Sequence, residues 1–101
     1  MSAEARNRAF WNGISVSYQA THGAALDHHP MARGVWRIPE SRLAVLGAVE
    51  GLRVLELGCG AAQWTIALAG VGARSVGVDV SDRQLRRARA LSPTAEASLA
   101  R

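Results

Sequence analysis

The most constraining feature of this chain is a short apolar run, Arg53-Val54-Leu55-Glu56-Leu57, that breaks abruptly into Gly58-Cys59-Gly60. A brief, mostly apolar run bounded by glycine reads as a buried parallel strand. Two glycines one residue apart mean that the backbone turns sharply and leaves room against the main chain. Residues 61–69 then read as a helix, with Trp64, Ile66, Ala67 and Leu68 as apolar surface and Gly70 as its stop. Ser75-Val76-Gly77-Val78 is a second strand ending at Asp79. Ser81-Asp82-Arg83-Gln84 matches a capping box that opens a second helix, whose inner stripe is Leu85, Ala88 and Leu91. Strand, helix, strand and helix in about 40 residues make a βαβ unit followed by a further helix. A right-handed crossover sets the strands side by side with their carboxyl ends together. Open α/β sheets bind ligands at that edge, and both informative loops, 58–62 and 79–81, fall there.

The rest of the chain is less regular. Trp11, Ile14 and Tyr18 recur at helical spacing within residues 4–20, although Asn12-Gly13 weakens that helix. From Thr21 to Ile38 the periodicity is lost, and glycine, proline and the pair His28-His29 mark an irregular loop. Pro39 is suited to open a helix; Leu43, Leu46 and Val49 give it a stripe, and Glu50-Gly51 closes it. The tail from Leu91 to Arg101 reads without a third strand.

Composition sets outer bounds. With 101 residues there is room for one small domain. No run approaches the ~18–20 apolar residues of a membrane span, and the polar N-terminus lacks a secretory core, so a cytoplasmic location is the default expectation. One cysteine, Cys59, makes no internal disulfide. The net charge is +4, carried entirely by arginine. Arg83, Arg86, Arg87 and Arg89 cluster on a helix beside Asp82 without interleaved aromatic residues, so a solvated face is expected there and nucleic acid is not. His22, His28 and His29 lack a cysteine or acid at ligand spacing, and no metal site is expected.

The loops carry the chemistry. Asp79, about 20 residues beyond the glycine pair, stands where an acid bonds the ribose hydroxyls of an adenosine cofactor. A dinucleotide fingerprint needs a glycine at position 63, where this chain has Gln63. Glu56 aims a second carboxylate at the same pocket, which repels a pyrophosphate and attracts an ammonium or a sulfonium. The pocket therefore favours S-adenosylmethionine over NAD. The bland alternative is that Glu56 and Asp79 are ordinary strand-end carboxylates; Cys59 reads as a small residue fitting a tight loop and not as a nucleophile.

Val54-Leu55-Glu56-Leu57-Gly58-Cys59-Gly60 resembles the first motif of class I S-adenosylmethionine-dependent methyltransferases, and Val76-Gly77-Val78-Asp79-Val80-Ser81 resembles their second. The stretch from Trp36 through Leu91, with Trp36-Arg37-Ile38-Pro39-Glu40-Ser41 and Ala61-Ala62-Gln63-Trp64, is similar to small-molecule members of the ubiquinone/menaquinone-biosynthesis type. Ala62 departs from the pattern, since many members carry a third glycine there.

The resemblance implies a Rossmann-like, doubly wound parallel α/β sheet, here truncated to its first two strands behind an N-terminal helical segment. It implies Glu56 near the methionine amine, the backbone of Gly58, Cys59, Gly60 and Ala61 along the methionyl portion, and Asp79 on the ribose diol. Val80 and Gln84 would border the adenine. No catalytic base is identifiable. Residues 1–38 are expected to form a helix and loop in which Trp11, Tyr18 and Trp36 are core residues, the alternative being a lid over the cofactor; 39–91 are expected to form the first half of the cofactor-binding domain, and 92–101 a truncated or frame-shifted tail. The expected function is methyl transfer to a small-molecule acceptor, with this chain alone inactive and at best marginally folded. The alternatives are a non-catalytic cofactor-binding module, one piece of a split enzyme whose partner chain completes the sheet, and an NAD-type oxidoreductase.

Overall fold

In a computed structural model of the chain, residues 1–28, 31–33, 36–91 and 98–100 are described. The apolar strand forms as expected: β3 (Arg53–Leu57) lies parallel to β4 (Arg74–Val78), with Val54 opposite Ser75 and Leu57 opposite Val78. Between them runs α3 (Gln63–Gly70), and after them α4 (Asp82–Leu91). The reading of a sheet limited to two strands is corrected by β5 (Ser98–Ala100), which pairs in parallel with Val76–Val78. The order is β3-β4-β5, so β4 is an inner strand. Three residues carry too little pattern to be legible as a strand; the pairing comes from the neighbour. Residues 92–97 and Arg101, also part of the expected tail, lie outside the described residues.

Helices α3 and α4 cover one face of this sheet. Cys59, Ala62, Leu85 and Ala88 form one buried cluster with Ile66 against it. Val49, Leu68 and Ala73 form a second, with Met31, Val54 and Trp64 packed on it. Side chains alternate along a strand, so Leu55 and Leu57 point to the opposite face, where they are 61% and 77% exposed. Arg83, Arg86, Arg87 and Arg89 of α4 are all exposed.

The N-terminal part differs from expectation. α1 (Ala3–His28) runs past residue 20 through much of the anticipated loop. Its contact face mixes polar and aromatic side chains, which hides the helical period from an apolar count. The side chain of His28 and all of His29 lie outside the described residues. Strands β1 (Ala32–Arg33) and β2 (Ile38–Pro39) form a small antiparallel pair. Trp36 between them is 83% exposed and so is not a core residue.

The helix expected across residues 39–50 stops early, as α2 (Glu40–Leu43). Ala44 takes a left-handed conformation, φ 51°, and the buried Glu40 carboxylate accepts the N–H groups of Val45, Leu46 and Gly47 at 3.1–3.3 Å. A side chain that satisfies three backbone donors outcompetes the next helical turn. Leu43 and Leu46 are consequently exposed, and Val49 alone of that stripe enters the core.

Burial works against the charged form of Glu40, but the hydrogen bonds from Leu46, Gly47 and Arg33 and the Arg33 charge outweigh it, holding its carboxyl below the usual range. A depressed carboxyl contributes stability that is present above its unfolded value and lost as pH falls through its folded one. Glu40→Gln is therefore expected to melt below the unaltered chain at pH 7. In thermal unfolding series the gap should close as the solution is acidified; a gap constant with pH contradicts the ionic role.

Candidate functional site

At the carboxyl edge of β3 and β4 the chain surrounds a cavity of about 780 Å³. Its floor is the glycine loop. Gly58 and Gly60 hold φ of 68° and 59°, a region that L side chains rarely enter. The Cys59 N–H donates to the Val78 carbonyl at 3.0 Å, tying the loop to the end of β4. Ala62, at the position where many members of the resembled family carry a third glycine, is fully buried and takes the same left-handed conformation, φ 63°. The loop path is thus kept by an alanine at a strain of roughly 1–2 kcal/mol.

All eight residues singled out from the sequence line this cavity: Glu56, Gly58, Cys59, Gly60, Ala61, Asp79, Val80 and Gln84. Asp79 also links the two loops. Its Oδ2 accepts the Gly60 N–H and its Oδ1 the Ser81 N–H, both at 2.8 Å. An ionised carboxylate has about four acceptor sites, so each oxygen retains capacity for a ligand. Glu56 reaches across to the start of α3, where its Oε1 accepts the Thr65 hydroxyl at 2.6 Å and the Thr65 N–H at 3.2 Å. Burial pushes the Glu56 carboxyl up; the Thr65 bonds oppose that and the Asp79 charge adds to it.

Cys59 is buried against the same loop, and burial, then the charges of Asp79 and Glu56, push its thiol up to about 12. It stays protonated at neutral pH and is no nucleophile. Among the described residues no group of His, Cys, Asp and Glu could hold a metal ion, and no helix is long and apolar enough to cross a membrane.

The cover of the cavity was only partly legible. Glu4, Asn7, Arg8, Trp11, Tyr18 and Gln19 line it from one stripe of α1. Trp11 and Tyr18 meet edge to face, their centroids 6.0 Å apart. Polar contacts seat the helix: Asn12 Oδ1 accepts the Ser81 hydroxyl at 2.6 Å, and Gln19 bridges Gln63 at 3.2 Å and Gln84 at 2.9 Å. This corrects the capping box. Ser81 Oγ accepts the Gln84 N–H at 3.3 Å, but the Gln84 side chain turns to α1 instead of back to the cap. Trp64 also lines the cavity, and the Arg33 guanidinium stacks 4.7 Å above its ring. The i, i+3, i+4, i+7 recurrence of Glu4, Asn7, Arg8 and Trp11 was the available signal; a search for apolar residues alone passes over it.

Comparison with known proteins agrees with this geometry. The family model described as a methyltransferase domain matches residues 54–100. Among solved structures, magnesium protoporphyrin IX methyltransferase (ChlM) from Synechocystis PCC 6803, with bound SAH, superposes with a TM-score of 0.67 at 20% identity. That match covers 97% of this chain and 50% of the other. The DhpI–SAH complex gives 0.66 at 21% identity, covering 95% of this chain and 43% of that one. These likenesses establish a shared Rossmann-like fold, and the chain spans about half the length of the solved structures that it matches. A search of curated protein sequences finds no match.

Proposed function

We propose, for a chain whose residues 54–100 match the methyltransferase-domain family model, that the cavity binds S-adenosylmethionine for methyl transfer to a small-molecule acceptor. The observation that carries this reading is the convergence of two carboxylates, Glu56 and Asp79, with a glycine loop in one cavity. A volume of about 780 Å³ falls in the range of small-molecule sites. Two acids suit a ligand with an ammonium and a sulfonium, and oppose one with a pyrophosphate.

In this reading Glu56 Oε2 faces the methionyl amine, because Oε1 is engaged by Thr65. Gly58, Cys59, Gly60 and Ala61 present backbone to the methionyl chain. Asp79 takes the ribose diol while holding both loops. Val80 and Gln84 border the adenine. Trp11 and Tyr18 on α1 exclude water from above, so α1 acts as a cover on polar footings. The bound cofactor supplies an already activated methyl group, and the chain's contribution is to orient it and keep water out. A second reading leaves catalysis to an assembly in which a partner chain completes the sheet. It draws on the outer edge of β3, which has no strand beside it among the described residues, and on the exposed Leu55 and Leu57.

Isothermal titration calorimetry tests the cofactor. S-adenosylmethionine and its demethylated product S-adenosylhomocysteine are expected to bind, and NAD to give no heat. Tight binding of NAD would overturn the electrostatic argument based on Glu56.

A further inference from the structure

Thr65 is fully buried at the start of α3 and meets three parts of the site at once. Its hydroxyl and its N–H both go to Glu56 Oε1, at 2.6 and 3.2 Å. Its carbonyl accepts the Ser75 hydroxyl of β4 at 2.7 Å. Directly beneath it is Gly77, where a Cβ would come within 2.7 Å of Thr65 Oγ1 and 2.9 Å of Cys59 Sγ. A β-branched side chain packed this closely has few rotamers to choose from. The arrangement does more than fill space, because both donors address a single oxygen of a single carboxylate.

We propose that Thr65 is a positioning residue for the cationic end of the ligand: it fixes Oε1 of Glu56 and thereby presents Oε2 to the cavity. This rests on the reading of the cavity as a site for S-adenosylmethionine. Burial and the Asp79 charge both disfavour ionised Glu56, and the two Thr65 bonds are what oppose them. The other charged or titratable groups that line the cavity are the Cys59 thiol of the glycine loop, and Glu4, Arg8 and Tyr18 of α1. The thiol is neutral, and Arg8 is paired with Glu4 at 2.8 Å. A protonated Glu56 offers an ammonium group no charge. Thr65 therefore sets both the aim of the acid and the pH at which it attracts a cation.

The test is the affinity of the full chain for S-adenosylhomocysteine between pH 5 and 8, for the unaltered protein, Thr65→Val, Thr65→Ser and Ser75→Ala. Binding should weaken as pH falls through the Glu56 midpoint. Thr65→Val keeps the shape and loses the hydroxyl, so its midpoint is expected to rise by about one pH unit, with binding weakened by up to roughly tenfold at pH values below both midpoints. Thr65→Ser keeps the hydroxyl and should restore the midpoint. Ser75→Ala disturbs the Thr65 backbone without touching Glu56; its melting temperature should fall and its midpoint should stay. A midpoint unmoved in Thr65→Val, or moved equally in Ser75→Ala, overturns the positioning role while leaving the cavity's ligand intact. Absence of S-adenosylhomocysteine binding by the unaltered chain overturns the ligand reading, and Thr65's role with it.

Discussion

Asp79→Ala is expected to weaken S-adenosylhomocysteine by roughly 1.5–3 kcal/mol, the usual cost of hydrogen bonds lost from a charged group. The same substitution should lower the stability of the unliganded chain by a comparable ~1.5–3 kcal/mol. The second loss has a structural origin: the carboxylate accepts the N–H groups of Gly60 and Ser81 and so fastens the glycine loop to the start of α4. Both donors lose a charged acceptor at once. Calorimetry and urea unfolding read the two effects separately. If stability falls while affinity is unchanged, Asp79 is a loop fastener only, and the ribose role is lost. If affinity falls alone, the loops hold their shape without it.

Gly77→Ala is expected to destabilise the chain by about 1–3 kcal/mol through overpacking. The added methyl would stand 2.7 Å from Thr65 Oγ1, 2.9 Å from Cys59 Sγ and 3.0 Å from Cys59 Cβ. Thr65 gives way only by turning its hydroxyl away from Glu56, and Cys59 only by moving the glycine loop. Ligand affinity should therefore fall together with stability. Thermal unfolding and titration with S-adenosylhomocysteine check this pair. Wild-type values for both would mean that the layer beneath the site is looser than its contacts require.

The cavity floor was legible because each of its residues is constrained locally. Gly58 and Gly60 are demanded by positive φ, and Asp79 sits at a strand tip whose position follows from the hydrophobic run before it. The roof was only partly legible, for the same reason reversed. Asn12, Gln19 and Gln84 are polar residues that could face water on any helix, and they become informative only through partners 44 to 69 positions away in the chain.

By itself, then, the sequence determined the β3-α3-β4-α4 unit, the carboxyl edge as the place of the cavity, and eight of the residues that line it. Period, turn chemistry and strand-end position are properties of neighbouring residues, and they survive without knowledge of the rest of the chain. The tertiary structure alone decided the remainder. It joined β5 to the edge of β4, because backbone pairing is satisfied by a neighbour and not by residue type. It ended α2 at Leu43, because one buried carboxylate captured three N–H groups of the following residues. It laid α1 across the cavity and gave Thr65 its hold on Glu56, contacts between residues whose side chains would be equally at home elsewhere. Such contacts depend on which groups arrive at the same place, and that is settled only when the whole chain packs.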